Sequence, residues 1–184
     1  MNSRKATESD IGGILDLQEM YLYSQLDEEE RKNGFVTTPF TPEQIKDIIG
    51  KSGLFLCEDG DQIIAYVFAG TWDYYEQWPI FPYMTSRFPK LSFKNFEVTT
   101  SATFQYGPVC LDMAYRGKKN FNAVFEEMRL HWMKKFPLAV TFINAVNEVS
   151  VRAHSKIGWE EIDQFEYNGN RYLSLAFDMK HSVI

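Results

Sequence analysis

Apolar and polar residues along this chain change period several times, and each change marks an element. Ile11, Ile14, Leu15 and Leu22 recur at helical spacing after Thr7-Glu8-Ser9-Asp10. That tetrad reads as a capping box in which the Thr7 hydroxyl accepts the Asp10 N–H, so a helix is expected over about residues 8–22. A short strand at residues 4–6 precedes it. Residues 27–32 are so densely charged that a solvated face or loop is expected. Thr41-Pro42-Glu43-Gln44 is a second capping box with proline at the first helical position, and Ile45, Ile48 and Ile49 give the following short helix one apolar face, ended by Gly50 or Gly53.

Beyond it, residues 54–58 and 62–70 form two apolar runs joined through Asp59-Gly60, a hairpin signal. The second run does not alternate, as expected of a strand covered on both faces. Residues 72–97 carry Pro79, Pro82, Pro89 and many aromatics, and read as a long irregular insertion with one or two short helices. The next strand is residues 98–111, and Phe121, Val124, Phe125, Met128 and Trp132 mark the helix after it. A fifth strand at 138–146, a short helix at 148–156 and a final hairpin of 159–167 with 171–179 around Asn168-Gly169 complete the order. It predicts one domain over residues 1–184, with a mixed central sheet and helices on both faces.

The 184 residues suffice for one domain with a core, and the net charge of −6 disfavours a nucleic-acid partner while mildly favouring cationic ligands. No run approaches the roughly 20 apolar residues of a membrane span, and the first residues lead into no signal-type core, so no membrane partner is expected. Cys57 and Cys110 lie in strand-like runs without Cys-x-x-Cys spacing, which points to buried reduced thiols and a cytoplasmic protein. His131, His154 and His181 lack ligand spacing, so no metal is expected.

The chemistry concentrates in residues 109–121, Val-Cys-Leu-Asp-Met-Ala-Tyr-Arg-Gly-Lys-Lys-Asn-Phe. An apolar strand ends in an Arg-Gly turn that runs directly into a helix start. The first N–H groups of a helix lack intrahelical partners and carry partial positive charge, so phosphate oxygens suit them. Lys118 and Lys119 strengthen that attraction. The segment therefore reads as a pyrophosphate-binding turn for a phosphorylated carrier or, more plainly, as a strand–helix turn with solvated lysines.

The element order and two motifs resemble the GNAT superfamily of acyl-CoA-dependent N-acetyltransferases over nearly the whole chain. Arg116-Gly117-Lys118-Lys119-Asn120-Phe121 is similar to the family's Arg/Gln-x-x-Gly-x-Gly/Ala turn. Asn147-x-x-Ser150-x-x-x-His154-x-Lys156-x-Gly158-Trp159 is similar to its Asn-x-x-Ala/Ser-x-x-x-Tyr-x-Lys-x-Gly-Phe segment. The resemblance implies an α/β (in some schemes α+β) acyl-CoA N-acyltransferase fold, with a mixed, mostly antiparallel sheet of about seven strands. It implies transfer of an acetyl group from acetyl-CoA to a primary amine of a small molecule or peptide by direct attack, without a metal.

Under the same resemblance, Arg116 and the backbone from Gly117 through Lys118, Lys119, Asn120 and Phe121 to Asn122 would hold the pyrophosphate. Backbone groups of Leu111 and Met113 would pair with the pantetheine amides as an added strand does, and Asn147 and Ser150 would contact the carrier. A backbone N–H of strand 109–113 would polarise the thioester carbonyl. Lys119 stands where glycine is usual and Phe121 where glycine or alanine is usual, so Lys119 must swing outward and Phe121 must turn into the core. His154 occupies the usual tyrosine position and is a candidate acid for the departing thiolate; otherwise it faces solvent or caps a neighbour. His131 reads as structural and His181 as part of a disordered tail. Candidate bases are Asp112, Glu97 and Tyr106, each equally readable as a hydrogen-bonded surface residue. Trp72, Tyr74, Tyr75, Trp78, Phe81 and Tyr83, with Asp73 and Glu76, would shape an amine pocket, a satellite hydrophobic cluster or a homodimer contact. A non-catalytic acyl-CoA-binding module and a protein-interaction domain using the aromatic insertion are the readings from other classes.

Overall fold

The computed structural model describes residues 1–117 and 119–184. Its first half runs β1 (Asn2–Lys5), α1 (Ile11–Tyr21), α2 (Glu28–Arg31), α3 (Pro42–Gly50), β2 (Leu54–Asp59), β3 (Gln62–Gly70), α4 (Trp72–Tyr75) and α5 (Ile80–Thr85). The second half runs β4 (Ser92–Phe93), β5 (Phe96–Glu97), β6 (Thr103–Leu111), α6 (Asn120–Trp132), β7 (Leu138–Asn144), α7 (Glu148–Lys156), β8 (Glu160–Tyr167) and β9 (Asn170–Asp178). Seven strands form one sheet in the order β1-β2-β3-β6-β7-β9-β8. The pairing is mostly antiparallel, with β6 and β7 parallel in the register Thr103↔Leu138, Phe104↔Ala139 and Gln105↔Val140. This is the fold class that the element order and the resemblance imply.

Local chemistry explains most element starts. The second capping box forms as expected: Thr41 Oγ1 accepts the Gln44 N–H at 3.3 Å and Gln44 Oε1 accepts the Thr41 N–H at 3.0 Å. The first differs. The Asp10 N–H goes to the Thr7 carbonyl at 3.0 Å, and the Asp10 carboxylate receives the Thr7 N–H at 2.7 Å and hydroxyl at 2.9 Å. The same carboxylate binds the Arg4 guanidinium through two hydrogen bonds, at 2.8 and 2.9 Å. A 3-10 turn, Glu8–Asp10, results before α1 begins.

Other boundaries depart from expectation. Within the stretch 27–32, expected as a solvated face or loop, a short solvated helix, α2, forms because Asp27 and Glu30 cap each other at 2.8 Å and three acidic residues sit in its first turn. The strand expected from residue 98 starts only at Thr103. Upstream, Thr99 Oγ1 accepts the Ala102 N–H at 3.1 Å and the Thr99 carbonyl accepts the Thr103 hydroxyl at 2.7 Å, which curls the chain. The β4–β5 hairpin inside the insertion has no counterpart in the expectation. β7 stops at Asn144 because the Asn144 side chain and carbonyl accept the next N–H groups, of Val146 and Asn147, at 3.2 and 2.8 Å. His181, expected in a disordered tail, is anchored by its N–H to the Asp178 carbonyl at 2.9 Å, and its ring lies 5.9 Å from that of Phe177.

The chain divides into two compact units. One comprises Met1–Ala69, Gly107–His131 and Val183–Ile184, with a core of α1, α3, β2, β3 and α6 residues such as Ile14, Ile45, Ile48, Phe55, Phe68 and Phe125. Cys57 and Cys110 are both buried there as free thiols, and burial pushes the Cys110 thiol up to about 12. The other comprises Gly70–Tyr106 and Trp132–Ser182. Its core takes up the aromatic insertion: Trp72, Tyr74, Tyr75 and Phe81 are buried. Trp72 Nε1 donates to the Thr103 carbonyl and hydroxyl at 3.1 and 3.0 Å, and the Phe81 ring lies edge-on to Phe142 at 5.1 Å. Among the described residues, no helix is long and apolar enough to cross a membrane.

Candidate functional site

The strand–helix turn is built by an aspartate and a tyrosine distant in sequence. Asp112, at the end of β6, is buried; its N–H donates to the Ile64 carbonyl at 2.9 Å and its carboxylate accepts the Ala114 N–H at 2.9 Å, starting the 3-10 turn Met113–Tyr115. The Tyr21 hydroxyl, from the last residue of α1, donates to Asp112 Oδ1 at 3.2 Å and accepts the Met113 N–H at 2.7 Å. Burial raises the Tyr21 phenol, so it stays protonated as a donor. Arg116 turns back over this arrangement. Its Nε donates to the Leu111 carbonyl at 3.2 Å, its terminal nitrogen donates to the Asn33 carbonyl, and its guanidinium lies 5.5 Å from the Tyr21 ring centre.

Past Arg116, the described backbone is left-handed at Gly117 (φ +77°) and at Lys119 (φ +63°). A Cβ on Gly117 would meet nothing within 4 Å, so glycine serves the dihedral and leaves open space in front of the turn. The left-handed dihedral at 119 gives a physical reason for glycine there in the family pattern; here an exposed lysine adopts it. The Ala123 N–H of α6 is bound to the Lys119 carbonyl at 3.0 Å. Asn120, Phe121 and Asn122 form the first turn of α6, where the helix dipole favours negative charge. Asn120 is buried and donates from its side chain to the Tyr115 carbonyl at 2.8 Å, Phe121 is half-buried beside Phe125, and Asn122 donates to the Val183 carbonyl at 2.8 Å. Lys118, expected to strengthen the turn's attraction for phosphate, lies outside the described residues.

The second motif is a helix cap with an enclosed imidazole. Asn147 Oδ1 accepts the Ser150 N–H at 3.3 Å and starts α7. His154 is only 2% exposed, its ring edge-on to Tyr106 at 5.5 Å and to Trp159 at 5.7 Å. Its Nδ1 lies 2.7 Å from the Ser150 carbonyl oxygen, an acceptor, so the ring carries its proton on Nδ1. Burial lowers this imidazole to about 4. A neutral ring with its one proton held by a carbonyl is poorly suited to protonate a thiolate near neutral pH.

No protein-family model matches the sequence, and no curated protein matches it. Solved structures do match in shape. The ribosomal-protein-alanine N-acetyltransferase of Brucella melitensis is 15% identical, with a TM-score of 0.63 over 97% of this chain and 99% of that one. The structure of yncA from Salmonella typhimurium, containing its cofactor acetyl-CoA, is 13% identical with a TM-score of 0.63 over 97% and 93%. A GNAT-family acetyltransferase from Bacillus cereus ATCC 10987 is 12% identical with a TM-score of 0.62 over 96% of each chain. The fold is the GNAT acetyltransferase fold.

Within this GNAT fold the candidate bases occupy three different settings. Asp112 serves as the cap described above. Tyr106 is enclosed, with burial raising its phenol well above the ordinary range, and its ring packs tilted against Trp159 at 4.8 Å. Glu97 is exposed at the rim of an open cleft of about 640 Å³ with Phe88, Leu91 and Val98. Asp73 and Glu76 line an adjoining cleft of about 630 Å³ with Trp72, Phe81 and Pro82, while Tyr83 remains exposed beside Phe165 and Tyr167. Sequence reasoning missed Tyr21. The available signal was spacing: Ile14, Leu17 and Tyr21 fall on one face of α1, which reaches the start of the turn. Among the described residues no three His, Cys, Asp or Glu side chains are grouped to hold a metal.

Proposed function

We propose that this protein transfers an acyl group, acetyl in the simplest case, from a coenzyme A thioester to a primary amine. The observation that carries the reading is the turn: left-handed residues at 117 and 119, open space at Gly117, and the start of α6, on a GNAT fold. Successive amides in such a turn form a concave anion site, and the helix dipole favours the same charge. In this proposal the backbone of residues 117–122 holds the diphosphate, with Lys119 free to reach a phosphate oxygen from its exposed position. The thioester supplies the activated acyl group. A backbone N–H of the β6 end polarises its carbonyl; because the Asp112 N–H goes to Ile64 and the Met113 N–H to Tyr21, the proposal puts that donor earlier in the strand. Solvent protonates the departing thiolate, whose ordinary pKa of about 8.5 makes it a fair leaving group without a dedicated acid.

The enclosed, neutral His154 also supports a second reading, a carrier-binding module without turnover. One experiment separates them. Thermal-shift and calorimetric titration with CoA and acetyl-CoA, followed by thiol release with a panel of primary amines, should give micromolar binding and amine-dependent thiol. Binding without thiol release supports the module, and no binding at millimolar carrier refutes both.

A further inference from the structure

We infer that Tyr21 and Arg116 form a self-made cap on the end of β6, which an incoming carrier arm must displace. The inference rests on the proposed carrier reading and adds a built-in competitor to it. A pantetheine-like amide offers one N–H donor and one carbonyl acceptor. The strand end offers the complementary pair, the Leu111 carbonyl and the Met113 N–H. Both are already engaged by side chains that reproduce an amide's two functions. Arg116 Nε donates to the Leu111 carbonyl at 3.2 Å, and the Tyr21 hydroxyl accepts the Met113 N–H at 2.7 Å.

The cap is tied together rather than being two separate contacts. The Arg116 guanidinium lies over the Tyr21 ring at 5.5 Å and also donates to the Asn33 carbonyl, and Tyr21 donates onward to Asp112 at 3.2 Å. Opening it therefore frees the chain after α1 as well as the strand end. An exposed strand end with unpaired backbone groups is a site for unwanted pairing, and a side-chain cap masks it until a ligand with better geometry arrives. The consequence is a sign: removing the cap should tighten carrier binding.

Tyr21→Phe tests this, because it keeps the ring under Arg116 and deletes only the hydroxyl. A hydrogen bond of this kind has a net value of about 0.5–1.5 kcal/mol, so CoA should bind about two- to twelvefold more tightly to Tyr21→Phe than to the unmodified protein. Amide hydrogen exchange at Met113, followed in the carrier-free proteins, should be faster in the variant. Tighter binding with faster exchange supports the cap. Equal or weaker binding by the variant overturns the cap while leaving the proposed function standing, and unchanged Met113 exchange overturns it too. Failure of both proteins to bind CoA overturns the functional reading, and the cap falls with it.

Discussion

Replacing His154 by phenylalanine separates chemistry from burial at the one histidine that the family pattern marks. The ring is 2% exposed, and burial lowers it from the ordinary 6.5 to about 4. Unfolded, it takes up a proton as the pH falls through 6.5; folded, it resists until about 4. In that window the unfolded chain binds more protons, so the stability associated with His154 is fully present above about 6.5 and is lost as the pH falls to about 4. At about 1.36 kcal/mol per pH unit the loss is about 3 kcal/mol, or roughly 6–12 °C in Tm for a chain of this length. His154→Phe retains the edge contacts with Tyr106 and Trp159, and any cost from its slightly larger ring does not vary with pH. Thermal melts of both proteins from pH 7.5 to 4 therefore have a defined outcome. The Tm of the unmodified protein minus that of the variant should shrink by roughly 6–12 °C across the range, because every other group titrates in both. Parallel curves would refute the claim that this imidazole is buried neutral. Thiol release by the variant should show no missing limb between pH 5.5 and 7.5. A hundredfold loss of turnover at pH 7 with unchanged CoA affinity would instead restore an acid role to His154.

Three further outcomes probe the turn and its support. Gly117→Asp should lose at least about tenfold in CoA affinity while Gly117→Asn, with the same left-handed strain, loses much less; equal binding by the two in calorimetry would show that no phosphate approaches there. Lys119→Gly relieves a left-handed lysine and should raise Tm by about 1–3 °C with carrier affinity unchanged or better; a large affinity loss would show that the ammonium itself holds a phosphate. Asp10→Asn removes the carboxylate that Arg4 holds at about 2, down from 3.8. With Arg4 35% exposed to solvent, about 1–2 kcal/mol should be lost above pH 4, and the difference from the unmodified protein should vanish as the pH falls through 2.

Much of the fold was legible because its signals are local. Thr41 and Gln44 cap α3 across three residues, Asn147 starts α7 through the Ser150 amide, and Asp59-Gly60 and Asn168-Gly169 turn hairpins where their dihedrals allow it. Residue type and short spacing decide such features. The continuous apolar run in β3 likewise announced a strand buried on both faces, and Ile64 through Ala69 are fully buried. The Arg116-Gly117 turn was legible for the same reason, since a left-handed glycine before a helix start is a matter of neighbouring residues.

What the chain could not disclose by itself is which side chains meet across long stretches. Tyr21 reaches Met113, 92 residues away; the spacing within α1 places Tyr21 on its apolar face, but neither segment names its partner. The aromatic insertion, read as an amine pocket, a satellite cluster or a homodimer contact, became part of a hydrophobic core because Phe142 and Thr103 are there to receive Phe81 and Trp72. His154 stands seven residues after Asn147 whether buried or exposed, yet its proton affinity depends on Tyr106 and Trp159 closing around it. Hydrogen-bond and turn preferences act over a few residues and can be read in order, whereas desolvation depends on every neighbour in space, and only the tertiary structure supplies those.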